Sequence, residues 1–133
     1  MLQKKIIHKF KIWLPSILWA MMIFYFSSGS VPRVGDTYWE DFAVKKSAHV
    51  FVYAILAVLN YRALLLENVA KNKAAFYSVL ISFLYGVTDE IHQSFIPGRE
   101  PKTRDVIIDT FGATVTIYLI YNYWDKFKKY ILK

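Results

Sequence analysis

The sequence predicts an all-α polytopic membrane protein, a bundle of four transmembrane helices with a short interfacial C-terminal segment. Three observations carry that expectation. The chain has 133 residues, 56% apolar and 18% aromatic, too rich in apolar side chains for a soluble domain of that size to cover itself with polar ones. Its apolar residues fall into four runs, near residues 12–29, 48–66, 74–93 and 105–123, each close to the roughly 17–25 residues that a bilayer crossing takes. Its net charge of +7 collects at the two ends beside those runs, where Lys and Arg serve as membrane-surface anchors rather than as a groove for nucleic acid. One domain, residues 1–133, accommodates all of this. With no cysteine, disulfides and thiolate metal sites are excluded.

The first run follows a tail carrying Lys4, Lys5, Lys9 and Lys11 and has Pro15 placed for a first helical turn, where its missing N–H costs little. A secretory signal peptide has the same basic start and small residues such as Ser28, Gly29 and Ser30. The aromatic side chains Trp13, Trp19, Phe24, Tyr25 and Phe26 instead favour a retained, anchored helix, and either reading leaves residue 30 outside the cell. Residues 30–47 read as a polar connection with Pro32, Gly35 and Asp36 and interfacial Tyr38 and Trp39. The second span, from Ala48, is interrupted only by His49, Asn60 and Arg62. A short turn over 67–73 leads to the third span, and Pro97-Gly98 marks a tight turn between the third and fourth. From Trp124 to Lys133, aromatic and apolar residues alternate with lysines, the pattern of a helical turn or two in the headgroup layer.

Eleven of the 17 Lys and Arg residues lie in the two tails and the 62–73 turn, against six in the other two connections. Both termini are therefore expected in the cytoplasm, with the Asp89–Arg104 region facing outward.

The charges concentrate at that outward end. Lys45 and Lys46 stand at the expected start of the second span and Asp89 and Glu90 in the last turn of the third, each the wrong sign for its helix dipole. They can correct one another by pairing across the bundle or by holding a charged group between them. Helical spacing aligns Lys46, His49 and Tyr53 on one face, with Asn60 two turns below. It aligns Asp89, His92 and Gln93 on another, with Tyr85 a turn deeper and Glu90 about 100° away. Asp105, Asp109, Gly112 and Thr116 form a third stripe, whose small residues allow close helix approach. Together these stripes predict one outward-facing polar pocket.

Structural readings stand beside the functional ones. Thr103 can cap the fourth helix and Asp105 can complement its N-terminus. His49 can be an interfacial histidine satisfied by a carbonyl, and His92 a loop-end residue facing headgroups. Arg99 and Arg104 can attract lipid phosphates, with the Pro97-Gly98 turn folding Arg99 back over the pocket mouth. Asp89, Glu90, Arg99 and Asp109 have no adequate structural reading of this kind. There is no Gly-rich phosphate loop, paired-histidine zinc helix or Gly-x-Ser-x-Gly elbow. Carboxylates suit hard cations, but nothing in the spacing demands one, so no metal is assigned and the cofactor is unknown.

Lys46-x-x-His49-x-x-x-Tyr53 resembles the first motif of the VanZ-like membrane family. Asp89-Glu90-x-x-Gln93-x-Phe95-x-Pro97-Gly98-Arg99, followed by Asp105-x-x-x-Asp109-x-x-Gly112, resembles its second, and Ser27-Ser28 matches the usual end of its first span. The resemblance covers about residues 12–123 and departs at Asp109, a position that is often Asn in the family. It implies a small bacterial multi-span protein whose founding member is linked to low-level resistance to teicoplanin, a glycopeptide acting on lipid-linked wall precursors. It implies no particular reaction.

Three functions are compatible with these residues. The first is recognition of an anionic membrane lipid or lipid-linked cell-wall intermediate, with Lys46, Tyr53, Gln93, Arg99, Arg104, Asp105 and Asp109 binding it. The second is a membrane-embedded hydrolase or transferase acting on a lipid-linked phosphate or acyl group, with His49, Asp89 and Glu90 as acid–base groups. The third is a small transporter, against which stand the few spans and the lack of an inverted repeat.

Overall fold

The computed structural model describes residues 2–29, 35–99 and 101–133. They form five helices and, among the described residues, no strand: α1 (Leu2–Ser27), α2 (Tyr38–Leu66), α3 (Lys71–Gln93), α4 (Thr103–Asn122) and α5 (Trp124–Ile131). The Pro32 turn expected in the 30–47 connection lies outside the described residues.

The first three helices are long and apolar enough to cross a membrane, by length and composition. α4 is not among them. Its 20 residues include Asp105, Asp109 and Gly112 on a buried stripe, so side chains that a lipid-facing helix would spend on apolarity are polar and turned toward α2. Among the described residues, large apolar side chains are exposed while charged ones are buried at one end of the bundle. Phe51, Phe76, Phe111 and Tyr118 are each more than 60% exposed, whereas Asp89, Glu90, Gln93, Asp105 and Asp109 are buried. In water such a surface would be a large apolar patch; against lipid it costs nothing.

Two helix starts differ from the sequence expectation. α1 begins at Leu2, so the basic tail is helical and Pro15 lies inside the helix, removing one i→i−4 bond rather than occupying the first turn. α2 begins at Tyr38, ten residues before the expected span. The reason is a capping box: Thr37 Oγ1 accepts the Glu40 N–H at 3.2 Å, and the Glu40 carboxylate accepts the Thr37 N–H at 2.9 Å. Lys45 and Lys46 are therefore two turns inside α2, and Glu40 and Asp41 occupy its first turn with the sign its dipole favours. At 29 residues, about 44 Å long at 1.5 Å per residue, α2 exceeds a hydrocarbon core of roughly 30 Å. Its first turns line the cavity of the candidate site.

α2 is the central helix, packed on α4, α3 and α1 in decreasing extent, while α3 and α4 also pack on each other. α2 and α4 approach closely at Gly112, where an added Cβ would lie 2.8 Å from Val50 Cγ1 and 3.2 Å from the Val50 carbonyl. The terminal end is closed by an apolar cluster of Ala57, Tyr61, Ala74, Ala113, Ile117 and Ile120, joined by Ile131 of α5. Lys71 clamps the same end, donating to the Tyr121 carbonyl at 2.8 Å with its ammonium over the Tyr121 ring. The α2–α3 connection is a Schellman turn: Val69 N–H reaches the Leu64 carbonyl, Asn68 N–H reaches that of Leu65, and Asn68 sits at φ 62°.

α1 is held by Ile23, Trp19 and Ala20 packed against Tyr53, Leu56, Val52 and Tyr85, and also through its backbone. Tyr85 Oη donates to the Ala20 carbonyl at 2.5 Å, and the Arg99 guanidinium donates to the carbonyls of Phe26 and Gly29 at 2.7–3.0 Å. In the other direction Trp19 Nε1 donates to the Val52 carbonyl of α2 at 2.8 Å. Near the chain termini, Trp13 Nε1 donates to Glu67 at 3.0 Å, with Lys9 3.5 Å from the same carboxylate.

Candidate functional site

At the end of the bundle remote from the chain termini, α2 and α4 run in the same direction and pair turn by turn. Lys46 forms an ion pair with Asp105. One turn deeper, His49 Nδ1 lies 3.3 Å from Asp109 Oδ2. A further turn down α2, Tyr53 Oη donates to Asp89 of α3 at 3.3 Å, and Gln93 Nε2 donates to the same Asp89 oxygen at 3.0 Å. All three α2 residues predicted to share a face do so, and each meets a carboxylate. The Lys46 and Asp105 side chains are only 16% and 12% exposed, so each charge depends on the other; unpairing a buried ion costs about 3–5 kcal/mol. Asp105 is thus held by Lys46, and its expected part as a mere complement to the α4 N-terminus is insufficient.

The α4 N-terminus has a different cap. Lys102, at the cap position, offers no side-chain cap bond, and its backbone N–H is accepted by Glu90 of α3 at 2.7 Å. Glu90 therefore serves the free donors of a helix start and ties the 94–102 connection across to α3. Thr103, expected as the cap, is the first residue of the helix. His92 also departs from its expected neighbours. Instead of joining Asp89 and Gln93 or facing headgroups, it stacks on Phe24 of α1 at 4.1 Å between centroids, and its Nε2 lies 3.0 Å from Ser28 Oγ. Gly98 takes φ 82°, a conformation that turns the chain so that Arg99 reaches back to α1. Arg99 thereby caps the C-terminal carbonyls of α1 with a cation, as the helix dipole favours.

These pairs border a cavity of about 590 Å³, within the size range of small-ligand sites. One wall is apolar, from Met22, Ile23 and Phe26 of α1. The opposite wall and floor carry Lys46, His49, Tyr53, Asp89, Gln93, Arg99, Arg104 and Asp105, which are all of the predicted site residues except Glu90 and Asp109. Asp109 stands behind His49, 3% exposed. Arg104, half exposed at the rim, lies over the Phe42 ring at 5.0 Å and within 3.9 Å of Asp105. Among the described residues no three His, Asp or Glu side chains converge where a metal ion could be held.

Sequence reasoning missed the first turns of α2 as part of the site. Phe42 sits beneath both Lys46 and Arg104, and Lys45 pairs with Asp41 at 2.7 Å; all three line the cavity. The signal was legible as Thr37-x-x-Glu40, a capping-box spacing that starts a helix at Tyr38.

An apolar exterior, three membrane-length helices and a charged interior cavity define a multi-helix membrane protein. The VanZ/LLP1 family model matches residues 12–125, and the chain belongs to that family. No curated protein and no solved structure matches the chain.

Proposed function

We propose that this VanZ/LLP1 protein sits in the bacterial cytoplasmic membrane and binds an anionic lipid or a lipid-linked wall intermediate in the cavity between α1, α2, α3 and α4. α4 completes the bundle as a fourth crossing, its acidic stripe shielded from lipid by α2. Both termini are cytoplasmic and the cavity faces outward, where occupancy by a wall intermediate alters sensitivity to teicoplanin-type glycopeptides. The observation that carries the reading is the two-sided cavity. A phosphate meets Lys46 and Arg104 on the charged side, while the first methylenes of its lipid tail meet Met22, Ile23 and Phe26 on the other.

The test is native mass spectrometry and lipid displacement on the protein in nanodiscs. The expected result is retention of a phosphate-bearing lipid that is lost in Lys46→Ala and Arg104→Ala; retention by both variants as by the wild type overturns the reading. Orientation is tested with Phe95→Cys, a position 78% exposed in the 94–102 connection. An impermeant thiol reagent labels it in intact cells if the cavity faces outward, and only after lysis if it does not.

One observation supports a hydrolase or transferase reading at the same place. His49 lines the cavity while its Nδ1 faces the buried Asp109 carboxylate. A carboxylate holding Nδ1–H leaves Nε2 as a base able to take a proton from an attacking hydroxyl or water. His49→Gln separates the two: binding retained with no turnover to lose fits recognition, and loss of a measured turnover with binding intact establishes catalysis.

A further inference from the structure

Around the cavity, four carboxylates have a partner that balances or caps them. Asp41 has Lys45, Asp105 has Lys46, Asp109 has His49, and Glu90 accepts a helix-start N–H. Asp89 differs. It is 5% exposed and lines the cavity, yet its two hydrogen bonds come from the neutral donors Tyr53 and Gln93 and both fall on Oδ2. Its Oδ1 has no hydrogen-bond partner among the described residues. Asp105 and Asp109 also have one oxygen each without a hydrogen bond, but Asp105 Oδ1 carries the Lys46 ion pair, and Asp109 stands behind His49 and outside the cavity lining. Asp89 occupies the last turns of α3, where the helix dipole adds to the cost of a negative charge. For a buried carboxylate with neutral donors on one oxygen, none on the other and an unfavourable dipole, a cation partner would offset the cost of burying its charge.

From this we infer that the floor of the cavity reads an ammonium group, so that the ligand carries a phosphate and a primary amine in one headgroup. The inference rests on the lipid-binding reading above and specifies its substrate class. Lys46 and Arg104 hold the phosphate near the mouth. Tyr53, two turns below Lys46 and so about 10 Å further along α2 by its rise, positions Asp89 for the amine. Oδ1 is itself buried, so the Asp89 carboxylate turns toward the cavity about its Tyr53 and Gln93 bonds to accept an N⁺–H bond, the strong charge-assisted kind. The binding is non-covalent and no proton need move.

The experiment compares three lipids of identical acyl chains on the wild-type protein in nanodiscs, by competition and native mass spectrometry. They are phosphatidylethanolamine, its N-acetyl derivative, which keeps the phosphodiester and loses the ammonium, and phosphatidylglycerol, which offers hydroxyls. The expected preference for phosphatidylethanolamine is about tenfold or more, the usual scale of a hydrogen bond to a charged group. Asp89→Asn abolishes the preference, whereas Lys46→Ala weakens all three lipids alike. Because the lipid comparison is made on the unmutated protein, it stands even if Asp89→Asn fails to fold. Lys46-dependent binding without discrimination, or with phosphatidylglycerol preferred, overturns the ammonium inference and leaves the lipid-binding reading in place. A preference that survives Asp89→Asn removes Asp89 from the role. No Lys46-dependent binding of any of the three overturns both.

Discussion

Gly112→Ala tests whether the candidate site depends on how closely α2 and α4 approach. The new Cβ would stand 2.8 Å from Val50 Cγ1, 3.2 Å from the Val50 carbonyl oxygen and 3.3 Å from its Cα. Carbon atoms prefer about 3.5–4.0 Å, and because two of the three neighbours are backbone, the helices must separate rather than a side chain rotate. Overpacking of this kind costs about 1–3 kcal/mol, and the gain in helix propensity from Gly to Ala returns about 1 kcal/mol. Net destabilisation is about 0–2 kcal/mol by that difference. Gly86→Ala is the internal control, since its Cβ meets Tyr53 Cε1 at an ordinary 3.5 Å. It is expected to be neutral or stabilising by up to about 1 kcal/mol. Reversible unfolding in bicelles measures both. Val50→Ala in the Gly112→Ala background recovers part of the loss, because it removes Cγ1 but not the backbone atoms. His49 precedes Val50, so separation also lengthens the 3.3 Å His49–Asp109 contact, which an NMR shift of the imidazole reports. Equal stability of Gly112→Ala and Gly86→Ala would refute the close-approach argument.

Three other perturbations isolate single contributions. Arg99→Ala removes the bonds to the Phe26 and Gly29 carbonyls; amide exchange should rise in residues 94–102 and at the end of α1, by about 1–2 kcal/mol of local opening energy, with the terminal end unchanged. Gly98→Ala should cost about 1–2 kcal/mol through its φ of 82° alone, because nothing lies within 4 Å of the added Cβ; an unfolding measurement showing no loss would mean the turn relaxes. Glu67→Ala removes the acceptor of Trp13 and the partner of Lys9. It should shift Trp13 fluorescence and cost about 1 kcal/mol, most of it from the hydrogen bond because Lys9 is 68% exposed and its ion pair is screened.

Much of the site was legible from spacing. Lys46, His49 and Tyr53 fall on one face by arithmetic alone, and acidic residues one turn apart on a later helix had few other partners. Which carboxylate meets which base was not legible, because it depends on α2 and α4 running in the same direction in mutual contact. Glu90 and Arg99 looked functional because each was a charge without a local explanation. Their partners are backbone groups of distant segments, the Lys102 N–H and the α1 carbonyls, and backbone groups leave no mark in a sequence. The start of α2 was misplaced for another reason. Polar residues at 40, 41, 45 and 46 weakened the apolar pattern that marks a span, although the capping box sets where the helix begins. A membrane span and a helix are different lengths of chain. α4 falls outside the three membrane-length apolar helices because its inward acids lower its apolarity, while its outer face stays apolar.

The attachment of α1 has a consequence for sequence drift. At Ala20, Phe26 and Gly29 the rest of the protein grips carbonyl oxygens, and a carbonyl is the same whatever side chain accompanies it. Saturation mutagenesis should therefore find α1 permissive at Ala20 and Phe26 to any residue that keeps it helical and fits its surroundings. The donors Tyr85 and Arg99, which lie on other segments, should be far less replaceable. The α1 wall can then change its lining at Phe26 from one descendant to another while the carbonyl grip stays in place, whereas Ile23 is fixed by its packing on Tyr53 and Leu56.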